Sequence, residues 1–159
     1  MSAVVLTVSD RVSRGEAEDR SGPAAAAKLA EFGFRDAGVH VVEDGVESVR
    51  SILTELARDH RLIVTTGGTG FSPRDLTPEA TRLVIERDAP GLAEAMRAAT
   101  FGRMPHGMLS RGVAGIVGST LIVNLPGSAK AVEESLDVIG PALQHGTELL
   151  IGGQTDHNT

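Results

Sequence analysis

The sequence predicts an α/β fold in which a mainly parallel central sheet is covered by helices on both sides. Three observations point there. Apolar runs of strand length recur, helical patterns lie between them, and glycine-rich turns follow the strands. Strands that alternate with helices need crossovers, and crossovers place neighbouring strands parallel with both faces buried. A chain of 159 residues with 41% hydrophobic content is enough for one core, so a single domain over 1–159 is expected.

Taken in order, the strand candidates are Ala3 to Val8, Val39 to Val42, Leu62 to Thr66, Val113 to Val117 and Leu121 to Leu125, most of them read as fully buried. An alanine-rich helix runs to Phe32 after Ser21-Gly22-Pro23, with Ser21 expected to cap it and Gly33, or further on Gly38, marking helix ends. Val49, Leu53, Leu56 and Ala57 make one apolar helical face, and Val132, Leu136, Ile139 and Leu143 make another. Thr77-Pro78-Glu79 offers a capping hydroxyl followed by a proline suited to a first helical turn. Gly102 to Gly112, with Pro105, fits neither period and is expected to be a loop ahead of a hairpin-like strand pair. Residues 154–159 are polar and are expected to be a disordered tail.

Composition excludes several functions. Without cysteine there are no disulfides, thiolate metal sites or cysteine nucleophiles. A formal net charge of -6 and 3% aromatics argue against nucleic acid as a partner. No stretch reaches the roughly 20 apolar residues of a membrane span, and Met1-Ser2-Ala3-Val4 carries neither a basic leader nor a cleavage site. A cytoplasmic protein with no membrane contact is expected. The five histidines show no metal-ligand spacing and are read as ordinary polar residues.

The strand Leu62 to Thr66 runs straight into Gly67-Gly68-Thr69-Gly70, a turn that is either a tight reversal or a phosphate cradle built from backbone N–H groups. Phe71-Ser72-Pro73-Arg74-Asp75 follows at once. Arg74 can pair with phosphate oxygens and Asp75 can hold Mg2+, the other reading being a solvated ion pair. Asp44 closes the second strand and is either a second acid facing the same cleft or a helix cap. Ser9 and Asp10 close the first strand at that sheet edge. Leu109-Ser110-Arg111-Gly112 and Asn124-Leu125-Pro126-Gly127-Ser128 are two more glycine turns carrying polar side chains.

Taken together and in this order, Thr7-Val8-Ser9-Asp10, Asp19-x-Ser21-Gly22, Asp44, Thr66 to Gly70, Pro73 to Ala80, Leu109-Ser110-Arg111 and Asn124 to Ser128 closely resemble the MogA/MoaB family of molybdenum-cofactor biosynthesis, which includes the G domain of gephyrin. The resemblance runs from about Ala3 to Ile151. It implies a three-layer α/β sandwich, a homotrimer and an adenylyl transfer in which the terminal phosphate of molybdopterin takes AMP from Mg-ATP with release of pyrophosphate. It also implies hand-over of the product to a molybdenum-insertion protein. Carried over residue by residue, Asp75 and Asp44 become the catalytic acids and Mg2+ holders. Gly67, Gly68, Thr69, Gly70, Arg74, Ser9 and Asp10 become nucleotide and phosphate contacts. Ser110, Arg111, Asn124, Pro126, Gly127 and Ser128 become the molybdopterin side. Many MogA-like chains have proline soon after the Leu-Pro-Gly turn, where this one reads Ser128-Ala129-Lys130, a form that also occurs in the MoaB-like and gephyrin-like branches. A paralogue that binds molybdopterin without catalysis is the alternative reading, because a fold does not by itself establish a reaction.

Overall fold

The computed structural model describes residues 1–152, so the tail expected at 154–159 lies outside the described residues. Six strands form one sheet: β1 (Ala3–Val8), β2 (Gly38–Val42), β3 (Leu62–Thr66), β4 (Arg87–Asp88), β5 (Ala114–Val117) and β6 (Thr120–Leu125). Their spatial order is β2-β1-β3-β6-β5-β4. The first four in that order are parallel, and β5 and β4 complete the sheet antiparallel.

Alternation along the strands feeds two cores. Ala3 and Val5, Leu62 and Val64, and Leu121, Val123 and Leu125 turn to one face, where α2 (Ser21–Glu31), α5 (Pro90–Thr100) and α6 (Ala129–Leu150) cover them. Val4, Leu6, Val8, Ile63 and Ile122 turn to the other, under α3 (Val46–Leu56) and α4 (Thr77–Arg82). The short α1 (Asp10–Ser13) follows β1 directly. Three layers result. Among the described residues, no helix is long and apolar enough to cross a membrane.

Several local expectations change. The second strand is an exposed edge rather than a buried run, because only β1 pairs with it. Ser21 and Thr77 are first helical residues and not caps; their hydroxyls point back to the sheet edge instead. Gly22 N–H donates to the Asp19 carboxylate at 2.9 Å, which satisfies the start of α2 from outside. At its other end, Gly33 N–H donates to Ala30 and Phe34 N–H to Leu29, a closing pair that buries Phe34. Gly38 opens β2 and ends no helix. The segment from Gly102 to Gly112 contains a 3-10 turn over Pro105–Leu109, and β5 and β6 do form the hairpin. β4 and α5 had no counterpart in the sequence reading.

The chain leaves β1 towards β2 on one side and leaves β3 towards β4 and β6 on the other. The carboxyl ends of β1 and β3 therefore flank a switch point, where open α/β sheets form their ligand crevice.

Candidate active site

Everything singled out in the sequence turns sits at this carboxyl edge. The residues after β1 (Ser9, Asp10), β2 (Asp44), β3 (Gly67 to Asp75) and β6 (Pro126 to Ser128) converge there, and Ser110 and Arg111 arrive from the segment before β5. Two clefts meet along the glycine turn. One, of about 390 Å³, lies between the turn, α5, the 3-10 segment and α6, and is lined by Thr69, Gly70, Ser110, Asn124 and Pro126 together with apolar Ala93, Met96 and Leu109. The other, of about 580 Å³, is lined by Ser9, Asp19, Ser21, Asp44, Thr66 and Ser128. Gly67, Gly68, Asp75 and Gly127 line both.

The turn has a specific hydrogen-bond bias. Thr77 takes two carbonyls: its hydroxyl donates to Gly67 O at 3.0 Å and its N–H to Gly68 O at 3.1 Å. Arg111 takes the next two, its N–H donating to Thr69 O at 2.8 Å and its Nε to Gly70 O at 2.8 Å. The amides are treated the opposite way. Gly67 N–H reaches Leu125 O at 3.3 Å, while the N–H groups of Gly68, Thr69 and Gly70 have no acceptor among the described residues. Thr69 is only 6% exposed, and its hydroxyl also has no partner among those residues. Consecutive N–H groups without acceptors, on residues that line a cleft, make a candidate anion-binding nest. Gly67 and Gly68 lie at φ +89° and +66°, the left-handed region that glycine reaches without strain. A Cβ at Gly68 would strike the Thr77 hydroxyl and come within 3.2 Å of Asp44 Oδ1.

Two acids border the nest. Asp75 Oδ2 accepts from Ser72 N–H at 3.0 Å, and Asp75 N–H donates to Ser72 O at 2.9 Å, fixing the residue in a tight turn. Asp44 and Asp10 exchange bonds: Asp10 N–H donates to Asp44 Oδ2 at 2.8 Å, and Asp44 N–H to Asp10 Oδ1 at 3.1 Å. Arg74 closes this pair, donating from Nε and Nη2 to the Asp10 carboxylate at 3.1 Å each and from Nη2 to Asp44 O at 2.6 Å. Burial raises the Asp44 pKa above the ordinary aspartate value, with the Asp10 and Asp75 charges adding to the rise; Arg74 lowers that of Asp10.

Some candidates stand elsewhere than expected. Arg74 is committed to Asp10 and not to its sequence neighbour Asp75. Arg111 lines neither cleft; its guanidinium donates to Gly70 O, to Asp75 O at 2.6 Å and to the Glu79 carboxylate. Asn124 is buried, with its amide donating to the Thr65 and Thr81 hydroxyls and its carbonyl accepting from Val113 N–H. Ser9 and Ser128 cap α1 and α6. Sequence reading missed the wall that α5 and the 3-10 segment supply, including Met96, Arg97, Arg103 and His106. Pro90 at the first turn of α5 was the available signal, the same one used at Pro78.

Fold and site define an α/β protein with a glycine turn of unpaired N–H groups and two carboxylates at the switch point of its sheet. Residues 4–145 match the family described as "Probable molybdopterin binding domain", and the chain belongs to that family. Gephyrin of Dictyostelium discoideum is 42% identical over 157 residues, covering 92% of this chain but only 22% of that protein's length. Molybdopterin adenylyltransferase of Helicobacter pylori strain J99 is 38% identical over 158 residues, covering 97% of this chain and 90% of that protein. Among solved structures, the molybdopterin biosynthesis enzyme MoaB from Thermus thermophilus superposes with a TM-score of 0.89 at 45% identity, covering 96% of this chain and 98% of that one.

Proposed function

We propose that this chain is a molybdopterin adenylyltransferase of molybdenum-cofactor biosynthesis, moving AMP from ATP to the terminal phosphate of molybdopterin. The observation that carries this reading is the nest: the carbonyls of Gly67 to Gly70 are all drawn onto Thr77 and Arg111, and the N–H groups of Gly68, Thr69 and Gly70 are left for an anion. Relatives that match nearly end to end and are named molybdopterin adenylyltransferase support the same reaction.

The first cleft, with Ser110, Asn124, Pro126 and Gly127 beside apolar Ala93 and Met96, suits a flat pterin. The second, with Ser9, Ser128 and Asp44, suits the nucleotide phosphates. Their shared border at Gly67, Gly68 and Asp75 is where the phosphates meet. A molybdopterin phosphate oxygen bonds to the α-phosphorus of ATP, the bond to the bridging oxygen breaks, and pyrophosphate leaves with that electron pair. The nucleophile is already anionic, so the site needs no strong base. Its residues position the two phosphates and stabilise the charge that grows between them.

The donor set fits Mg2+. Glu18, Asp19, Asp44 and Asp75 give the second cleft four carboxylates against Arg20, an excess that repels a bare triphosphate. Mg2+ is ordinarily held by one or two carboxylates plus substrate phosphate oxygens. Asp75 and Asp44 would hold it. When bound, the ion neutralises phosphate charge and draws electron density from the α-phosphate.

Molybdopterin and Mg-ATP incubated with the purified protein should yield adenylylated molybdopterin and pyrophosphate. Asp75→Asn should cut turnover by about 100-fold or more while molybdopterin still binds. Tight molybdopterin binding by folded protein without product would replace the enzyme reading with a binding paralogue. We further propose a single functional domain, a cytoplasmic homotrimer, and hand-over of the product to a molybdenum-insertion protein. Sedimentation equilibrium tests the trimer.

A further inference from the structure

We infer that Arg111 and Glu79 form a positioning pair that holds the anion nest open and fixes Asp75 beside it, an inference that rests on the adenylyl-transfer reading above. Arg111 touches neither cleft, yet it gathers three carbonyls of one loop: Thr69 O through its backbone, and Gly70 O and Asp75 O through its guanidinium. Glu79, in the first turn of α4, takes the remaining face of the fork. The Arg111 side chain is 34% exposed and the Glu79 side chain 41%, so the pair is half-buried beneath the loop.

A peptide plane is rigid, so the direction of a carbonyl sets the direction of the N–H that follows it. Holding Thr69 O on Arg111 turns the Gly70 N–H the opposite way. Thr77 does the same upstream, where Gly67 O and Gly68 O set the amides of Gly68 and Thr69. The loop contains Gly67, Gly68 and Gly70, residues with little preference of their own for one peptide orientation. Side chains outside the loop therefore choose it. Bonds to Gly70 O and Asp75 O from one guanidinium also fix the span between the nest and the acid. Lysine keeps the charge but has no planar fork to bridge two carbonyls and a carboxylate.

The test compares the full chain with Arg111→Lys and Glu79→Gln by steady-state adenylyl transfer, calorimetric binding of Mg-ATP and of molybdopterin, and thermal unfolding. Arg111→Lys is expected to lower kcat/KM for Mg-ATP by about tenfold or more, as small misplacements of reacting groups do. Molybdopterin affinity should fall as well in the same preparation, since Thr69 and Gly70, whose carbonyls the pair holds, line the first cleft, while the folded fraction at the assay temperature stays at the parent value. Glu79→Gln, which keeps an acceptor and loses only the charge, should shift the same parameters in the same direction but less, and it carries the test if Arg111→Lys fails to fold. Parent values for nucleotide affinity and turnover in both folded variants would overturn the inference. So would equal losses for both ligands that merely track the folded fraction. If the parent itself makes no product, the adenylyl-transfer reading fails, and the Mg-ATP calorimetry still decides whether the pair positions the nest.

Discussion

Asn124 shows how a residue named for a ligand can be held by the fold. Its amide bridges Thr65 on β3 and Thr81 on α4, and its carbonyl accepts from Val113 N–H, so it ties three elements while one surface lines the first cleft. Asn124→Ala would break three buried hydrogen bonds and leave their partners unsatisfied. At about 1 kcal/mol for each bond, a loss of about 2–3 kcal/mol is expected in urea unfolding; a loss below about 0.5 kcal/mol would show the network to be dispensable. The residue's position was legible in the sequence but its partners were not, because Thr65 and Thr81 lie 59 and 43 residues away. The same holds for Arg74. Adjacent to Asp75 in sequence, it spends its guanidinium on Asp10, 64 residues distant, because the turn at Ser72 to Asp75 points the two side chains to different neighbours.

Elements were legible where burial imposes a period, and obscure where it does not. β1, β3 and β6 pack on both faces, so their apolar runs gave their positions within a residue. β4 has two residues and no period to read, and the only fully inward side chains of α5 are Ala93 and Met96, too sparse for a pattern. β2 looked like the buried strands because Val39, Val41 and Val42 are as apolar as theirs; its edge position leaves Val39 and Val41 exposed. Stability should divide the same way. Leu136 is fully buried between α6 and the sheet, and Leu136→Ala should cost about 2–5 kcal/mol. Val41→Thr, on the open edge, should stay within about 0.5 kcal/mol. Urea midpoints with unchanged slopes would check both, and comparable losses at the two sites would contradict the assigned edge. Helix starts were half legible. Ser21 and Thr77 were rightly placed at helix beginnings, but Ser21 bonds Thr66 at 2.8 Å and Thr77 bonds the nest, so each hydroxyl locks its helix to β3 and its turn.

At the scale of the whole molecule, the site is a local expense carried by two well-packed cores. Asp44 is held beside Asp10 and Asp75 in a cleft whose burial already disfavours its charge, and its pKa is raised from 3.8 in consequence. A carboxyl with a raised folded value binds its proton more tightly when folded. Its contribution to stability is therefore fully present below pH 3.8 and lost as pH rises through the raised value, so at neutral pH the charge works against folding. Asp10 and Glu79, lowered by Arg74 and Arg111, act with the opposite sign: their contribution is present above the ordinary values of 3.8 and 4.5 and disappears as pH falls below them. Asp44→Asn keeps an acceptor for Asp10 N–H and removes the misplaced charge. In metal-free buffer at pH 7 it should raise Tm by about 1–3 °C, a modest gain for a chain of this length because the site is partly solvated, and the gain should shrink as pH falls through the raised Asp44 value. Saturating Mg-ATP should reverse the order, because ligand that binds only the folded state stabilises it in proportion to affinity, and the variant has given up an acid proposed to hold the ion. A variant less stable than the parent at neutral pH without metal would show that Asp44 is placed there by the fold; the reversal on adding Mg-ATP is the signature of an acid retained for its substrate.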